Sequence, residues 1–233
     1  MRISTPEFIA LMAMLVATVA ISIDAMLPAL PDIAATLTPE RPNNVQLILS
    51  SFIVGISVGT LIVGPLSDSF GRKTVIYWGA GLYILASIIC IFASNLETMI
   101  IARLCQGFGA AAPRVVSQAL IRDLYSGRQM ARISSFVMMI FSIVPALAPL
   151  LGAGLISIFA WQSIFVIFIL FSTLSTAWTG LRIQEPLAPE QRIPFCRDAF
   201  QAALVEIFSL GIVRISMLTM VFAYAMLFLS ILM

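Results

Sequence analysis

Long apolar blocks separated by short polar connections are the dominant pattern along this chain. Within a block, apolar and polar positions do not alternate, and each block exceeds the ~18 residues that indicate a membrane-crossing helix. The pattern predicts seven such helices, over about residues 8–30, 45–66, 74–94, 98–121, 133–157, 161–181 and 212–233. With 61% hydrophobic and 10% charged residues, the chain has too few polar positions to cover seven such helices in water. The sequence therefore predicts an all-α integral membrane protein.

A polar segment separates the sixth span from the seventh. Its first part, "QEPLAPEQRIP", is rich in proline and charge and predicts a linker. Its second part, "RDAFQAALVEIFSLG", places apolar residues on one helical face and predicts an amphipathic helix at the membrane surface. The chain thus divides into a six-helix bundle over 1–181, a cytoplasmic linker over 182–211 and a seventh helix over 212–233.

The positions of arginine and lysine predict which side of the membrane each connection occupies. Counting alternate span ends places most of them on one side, namely Arg2, Arg72, Lys73, Arg122, Arg128, Arg132, Arg182, Arg192, Arg197 and Arg214. The opposite side holds only Arg41. Because short loops rich in these residues stay in the cytoplasm, we expect a cytoplasmic N-terminus. The same distribution opposes a seven-helix receptor with its N-terminus outside, which is the candidate from another functional class.

Several other functions are disfavoured by what the sequence contains. The net charge of +2 gives no indication of nucleic-acid binding. The three cysteines, Cys90, Cys105 and Cys196, do not have the spacing of a metal site. The chain has no histidine, so a serine or cysteine nucleophile would lack its usual base. There is no phosphate-binding lysine motif for ATP. We therefore expect no enzyme activity, no metal and no cofactor.

The turn "GPLSDSFGRK", between the second and third spans, carries three charges in ten residues. Asp68 lies at the C-terminal end of one predicted helix, and Arg72 and Lys73 lie at the N-terminal start of the next. Each charge is at the less favourable end of its helix dipole. We therefore expect these charges to meet one another or charges at another cytoplasmic helix end. Gly64 and Gly71 are expected to permit the tight reversal.

Two of the charges inside predicted spans lie at similar depth. Asp24 is in the first span and Arg103 in the fourth, both roughly 8–9 Å below the outer end at the rise of an α-helix. An unpaired charge at mid-membrane costs on the order of 2.5–3.5 kcal/mol, and somewhat less away from the centre. Their matched depth predicts an ion pair or a shared aqueous cavity. Gln106, one turn from Arg103, is expected to face the same cavity.

Prolines and small residues mark three of the predicted helices. Pro145 and Pro149 remove two backbone donors from the fifth span, where we expect a bend. Small residues recur every four positions in the second and fourth spans and predict close helix packing, at Ser51, Gly55, Gly59, Gly107 and Ala111.

Four motifs, in order and on the corresponding spans, resemble those of the major facilitator superfamily of secondary transporters. The turn is similar to its signature loop G-x-L-x-D-x-x-G-R-K and departs from it at Ser69, where many members carry arginine. "DAMLPALPDI" resembles the drug-exporting Bcr/CflA branch, and "RLCQGFGAAAPR" resembles the family motif of the fourth span. "PALAPLLGAGL" resembles the antiporter motif of the fifth span, with Ala153 where a second glycine is common.

The resemblance implies a fold and a function. Members have twelve helices in two six-helix bundles with the substrate site between them, so this chain corresponds to the first bundle, the linker and one further helix. The implied function is a proton-coupled antiporter that exports small amphipathic compounds across the inner membrane, with the proton gradient as its energy source. Its partners would be a small-molecule substrate, the lipid bilayer and a missing C-terminal half. A metabolite or sugar transporter of the same fold and an inactive membrane-inserted fragment are the alternatives.

The resemblance also implies roles for individual residues. The signature loop would act as a cytoplasmic gate or latch, through Gly64, Asp68, Gly71, Arg72 and Lys73. Asp24 would take up and release a proton, and Arg103 would modulate its affinity for that proton. Gln106 would line the same cavity. The antiporter-type motif of the fifth span would comprise Pro145, Pro149 and Gly152.

Overall fold

The computed structural model of the chain describes residues 3–188, 190, 192–193, 205 and 209–219. It divides into two compact units, Met1–Ile193 and Pro194–Met233. The first unit therefore extends beyond the predicted bundle boundary at residue 181 and includes the beginning of the predicted linker. In the second unit, residues 211–219 are helical. Most of the predicted amphipathic helix and the remainder of the predicted seventh span lie outside the described residues.

The first unit is built from helices that correspond to the predicted spans. They are α1 (Thr5–Asp24), α2 (Leu30–Leu37), α3 (Gln46–Phe70), α4 (Arg72–Ile91), α5 (Leu96–Leu124), α6 (Gly127–Ile156) and α7 (Ser163–Arg182). The described part of the chain contains no strand, which confirms the all-α prediction. By length and composition, five of its helical segments are apolar enough to cross a membrane. The chain is accordingly a multi-pass membrane protein.

The first span is interrupted, which the sequence reading did not predict. A single helix over residues 8–30 was expected, whereas α1 ends at Asp24 and a short 3-10 turn, Leu27–Ala29, leads into α2. Pro28 and Pro31 explain the interruption, because proline has no N–H and disfavours helical backbone at the residue before it. Asp24 is therefore the last residue of a helix rather than an interior one.

Helix α5 packs between α3 and α4 along lines of small residues. A Cβ atom at Gly55 would overlap the carbonyl oxygen of Leu104, and one at Gly107 would overlap that of Phe52. On the other side, a Cβ atom at Gly79 would overlap the side chain of Ala112. The predicted close packing of the second and fourth spans is thereby confirmed. This central position suits the polar composition of α5, whose polar residues can be enclosed by neighbouring helices.

Helix α6 differs from the others in its exposure. Only 17% of its most apolar stretch is buried within the described structure, against 67% for the segment Thr5–Leu37. Large apolar side chains are exposed along its length, including Met139, Ile143, Leu147, Leu150 and Leu151. In a membrane protein such a face is covered by lipid or by further helices.

Candidate functional site

The turn between α3 and α4 consists of a single residue, Gly71. Its φ of +96° is one that residues with a side chain rarely adopt. The predicted need for glycine at this reversal is therefore confirmed for Gly71. It is wrong for Gly64, which lies inside α3, where an added Cβ atom would meet open space.

Arg72 joins three helices at this turn. Its guanidinium forms ion pairs with Asp68 in the last turn of α3 and, at 2.8 Å, with Asp123 in the last turn of α5. It also donates to the hydroxyl of the fully buried Ser67. The expectation that the charges of this turn meet one another, or charges at another helix end, is confirmed for Asp68 and Arg72. Asp123 was not identified as a partner by the sequence analysis. Its position, an acid at the predicted cytoplasmic end of the fourth span, was the signal that could have identified it.

The N-terminus of α4 is capped by Glu185, from the chain that follows α7. One carboxylate oxygen accepts the backbone N–H of Arg72 at 3.0 Å, and the other accepts that of Lys73 at 2.9 Å. A negative charge at this position is favourable to the helix dipole. The Lys73 ammonium donates to the carbonyl of Gly180, in the last turn of α7, at 3.0 Å. Sequence reasoning missed Glu185, because the motif that flags the turn ends at Lys73.

A buried polar cluster lies inside the bundle and comprises Ser22, Tyr83, Ser87, Arg103 and Gln106. Each of these side chains is at most 1% exposed. The Arg103 guanidinium donates to the carbonyl of Ser22 at 3.1 Å and to the amide oxygen of Gln106 at 2.5 Å. Gln106 in turn donates to the Ser87 hydroxyl at 2.6 Å, and the hydroxyls of Ser22 and Tyr83 are 2.5 Å apart. Gln106 therefore lies directly beside Arg103, and the prediction that the two face a cavity stays a prediction.

Two further contacts complete the surroundings of Arg103. Its Nε atom donates to the carbonyl of Ile48 in α3 at 3.4 Å, and its guanidinium carbon lies 4.2 Å from the centre of the Phe52 ring. One side chain of α5 thus contacts both α1 and α3. The guanidinium is surrounded by neutral acceptors and an aromatic face, and no ion pair of Arg103 occurs within the described part of the chain.

Asp24 is half-buried at the C-terminal end of α1, two residues beyond Ser22. Among the described residues its carboxylate forms no ion pair and no hydrogen bond. Of the two predicted arrangements, an ion pair with Arg103 is therefore not observed, because Arg103 is held by carbonyl groups and by Gln106 instead. A shared cavity between Asp24 and Arg103 stays a prediction.

The antiporter-type motif of α6 reaches the end of α1. A Cβ atom at Gly152 would overlap the carbonyl oxygen of Ala25, the residue after Asp24, so this close approach requires glycine. Pro145 and Pro149 lie within α6, which is continuous from Gly127 to Ile156. The bend predicted at these prolines stays a prediction. The structure thus brings Gly152 against Ala25, the residue after Asp24, whereas Arg103 is bonded to the carbonyl of Ser22, two residues before Asp24.

Glu7, which the sequence reading did not single out, connects the beginning of α1 to the end of α7. Its carboxylate pairs with the Arg182 guanidinium through two hydrogen bonds and accepts the indole N–H of Trp178 at 3.3 Å. Between the start of α1 and the exposed α6 there is a groove of about 540 Å³, lined by residues that include Ile9, Arg132 and Phe136. No group of residues suited to hold a metal ion occurs among the described residues.

The helices and the charged turn define a class of protein. A multi-pass helical bundle with an ion-paired turn between its second and third spans agrees with the family of secondary transporters that the sequence motifs resemble. The sequence profile of the Major Facilitator Superfamily matches residues 10–233, and the chain belongs to this family.

Individual relatives agree with this assignment. The chain is 37% identical over 186 residues to the uncharacterized MFS-type transporter YdgK of Bacillus subtilis, covering 79% of this chain and 46% of that protein. It is 36% identical over 172 residues to the bicyclomycin resistance protein homolog of Haemophilus influenzae, covering 74% and 43%. It is 36% identical over 143 residues to the multidrug resistance protein MdtL of Escherichia coli, covering 61% and 36%. The chain thus spans about half the length, or less, of the curated relatives that it matches.

A solved structure shows the same fold. The crystal structure of the human organic anion transporter MFSD10 (TETRAN) matches with a TM-score of 0.63, covering 83% of this chain and 51% of that chain. At 16% sequence identity this likeness concerns the fold alone.

Proposed function

We propose that this chain forms the N-terminal bundle of a proton-coupled antiporter that exports small amphipathic compounds across the bacterial inner membrane, with its N-terminus in the cytoplasm. Two similar proteins are named for bicyclomycin and multidrug resistance, which supports export of such compounds. The first bundle of a two-bundle transporter contributes half of a central site, so a second bundle completes the proposed machine.

The observation that carries the proton-coupling proposal is the position of Asp24. Its carboxylate is half-buried at a helix C-terminus, which disfavours its negative charge, and it has no ion-pair partner among the described residues. A carboxyl group in such a place can change protonation without breaking an ion pair. It also adjoins the contact between Gly152 and Ala25, so a change in its charge acts at the contact between α1 and α6.

The signature turn is proposed to serve as the gate of this transporter. Arg72 holds the ends of α3 and α5 through Asp68 and Asp123, which fixes the relative positions of three helix ends. In alternating access one bundle rocks against the other as a rigid body, and contacts between the helix ends of the two bundles break and form. Helix ends that are fixed relative to one another let the bundle move as such a unit.

The test joins this chain to a second bundle. Residues 1–233 are fused to the part of the Haemophilus influenzae relative that follows its seventh helix, and cells making the fusion are exposed to bicyclomycin or to a lipophilic cationic dye. We expect lowered accumulation of the compound, which a protonophore abolishes. Asp24→Asn is expected to remove this proton-dependent export and to leave compound binding intact. Asp32→Asn, at an exposed carboxylate in α2, is the matched control and should behave like the unchanged fusion.

The outcomes separate the proposal from its alternatives. Export that persists in the Asp24→Asn fusion at equal abundance removes Asp24 from the coupling mechanism. Export that is insensitive to the protonophore favours a facilitator of the same fold that carries a metabolite or a sugar. A fusion protein that reaches the membrane and transports none of these compounds contradicts the proposed substrate class.

A further inference from the structure

The chain that follows α7 is attached to the signature turn at two separate places. Glu185 caps α4 through the backbone N–H groups of Arg72 and Lys73. Eight residues further along, the N–H of Ile193 donates to the carbonyl of Asp68 at 3.2 Å. The Ser69 hydroxyl lies 2.6 Å from the carbonyl of Ile193. We call these contacts, made by Asp68, Ser69, Arg72 and Lys73 with Glu185 and Ile193, the linker clasp.

Gly71 leaves room for the Glu185 carboxylate. A Cβ atom at Gly71 would lie 3.0 Å from an oxygen of Glu185, closer than such contacts normally are, in addition to the strain of its positive φ. The same position would lie 3.0 Å from a terminal nitrogen of the Arg192 side chain. The glycine of the signature turn therefore serves two purposes here, since it permits the reversal and admits the following chain to the helix N-terminus.

Ser69 is the position at which this sequence departs from the signature loop that it resembles. Its hydroxyl is within hydrogen-bonding distance of two carbonyls, that of Pro65 in its own helix at 3.0 Å and that of Ile193 at the shorter 2.6 Å. A serine hydroxyl has one proton to donate, and the shorter distance assigns it to Ile193. A short polar side chain at this position thus allows the following chain to lie directly on the end of α3.

From these contacts we infer that Glu185 and Ser69 are positioning residues for the signature turn. They hold the chain that leads out of the bundle against the ends of α3 and α4, and thereby keep the Arg72 guanidinium between Asp68 and Asp123. Capping by Glu185 fixes the backbone of Arg72, and pairing of Ile193 with the Asp68 carbonyl fixes the backbone that carries the paired carboxylate. Movement of the linker is in this way communicated directly to the ion pairs of the turn.

Limited proteolysis tests the clasp without any assumption about transport. The N–H of Ile193 belongs to the peptide bond that trypsin cleaves after Arg192, so cleavage requires that this bond leave the turn. The experiment uses residues 1–233 purified in detergent and measures cleavage after Arg192 by mass spectrometry. Cleavage after Arg128, at the exposed start of α6, is the internal reference. We expect Glu185→Gln with Ser69→Ala to raise the relative rate about tenfold, because hydrogen bonds to a charged group are among the stronger ones.

Matched variants distinguish loss of the clasp from general loosening. Glu190→Gln removes an exposed carboxylate from the same stretch of chain, and we expect unchanged cleavage. Ser69→Thr keeps the hydroxyl and should restore the protection that Ser69→Ala removes. An unchanged relative rate in the double variant overturns the inference. An equal rise in cleavage after Arg128 reports unfolding of the double variant, and the single variants then decide. In that case, equal rates of cleavage after Arg192 in Ser69→Ala and Ser69→Thr overturn the inference.

The functional role rests on the proposed function and is measured separately. In the two-bundle fusion described above, Glu185→Gln is expected to lower the export rate about tenfold at equal abundance, and Glu190→Gln to leave it unchanged. Raised cleavage after Arg192 with unaltered export shows that the clasp exists but does not position the gate, which overturns the inference. Failure of the unmodified fusion to export anything contradicts the proposed function and leaves the proteolysis result to decide the existence of the clasp.

Discussion

Arg103 shows how a single buried charge is accommodated in this bundle. Its guanidinium is fully buried, and three oxygens from α1, α3 and α5 accept its N–H groups. A buried charge is tolerated inside a protein when its hydrogen-bonding groups have partners. The three acceptors around the Arg103 guanidinium meet much of this requirement. Arg103 therefore connects α1, α3 and α5 through hydrogen bonds.

The support that Gln106 gives to Arg103 leads to a first prediction. Gln106→Leu removes an acceptor from the guanidinium and a donor from Ser87, both fully buried. Leaving such groups unsatisfied costs about 1–3 kcal/mol, and more where a charge is involved. We expect a clearly lowered midpoint of thermal unfolding for the protein in detergent. Gln118→Leu, at a half-buried position on the same helix, is the control, and an equal effect there would contradict the assignment.

Asp68 leads to a prediction of the opposite kind. Its side chain is 45% exposed, and the 9% exposed Arg72 keeps its ion pair with Asp123, so Asp68→Asn should leave membrane insertion intact and lower thermal stability by no more than about 1 kcal/mol. The same change is expected to abolish export in the two-bundle fusion, because the substitution frees one side of the Arg72 guanidinium. The measurements are abundance in the membrane fraction and accumulation of the dye. Normal export at normal abundance would refute the gating role of this turn.

At the scale of helices, the packing depends on a few places where a backbone approaches another backbone. Gly55 and Gly107 allow α3 and α5 to meet, and Gly152 allows α6 to meet the end of α1. Without water between helices, close packing and interhelical hydrogen bonds hold a membrane bundle together. The glycines are therefore structural first, and the one beside Asp24 is also placed to transmit a change at that residue.

A pair of glycines two residues apart in α6 tests this reading. Gly152→Ala places a Cβ atom on the Ala25 carbonyl and should destabilise the protein by about 1–3 kcal/mol, the usual cost of overpacking. Gly154→Ala adds the same atom where there is open space and should be neutral or stabilising by about 0.5–1 kcal/mol. Thermal unfolding of the two variants in detergent compares them directly. Equal midpoints would show that α6 does not depend on this approach.

Much of the helical arrangement was accessible from the sequence, because apolar blocks of this length have few other interpretations. The approximate extents of α3 to α7 and the meeting of Asp68 with Arg72 followed from span length and from the helix dipole, whereas α3 ends later, at Phe70, and α6 begins earlier, at Gly127, than the apolar blocks indicate. The interruption after Asp24 did not, since the apolar pattern continues through Pro28 and Pro31 and hides their effect on the backbone. Glu185, Asp123 and Glu7 were missed because their partners are distant in sequence and only the fold brings them together.

At the scale of the whole chain, the exposure of α6 is the most informative feature. Little of its most apolar stretch is buried by the rest of the described structure, and its exposed side chains are large and apolar. The groove beside it opens along the same helix and is lined by Arg132 and Phe136. A surface that is apolar along its length and bordered by a groove is suited to a second bundle and to a compound held between the two bundles, as the proposed function requires.

The final prediction concerns residues 1–233 produced by themselves. We expect this chain to enter the membrane, because each helix satisfies its own backbone hydrogen bonds in lipid. We expect no export from it, because alternating access needs two bundles that exchange contacts around one central site. The measurement is accumulation of the dye in cells that make residues 1–233, with and without a co-expressed second half of the Haemophilus influenzae relative. Lowered accumulation with residues 1–233 alone, abolished by a protonophore, would contradict this prediction and show that the chain exports without a second half.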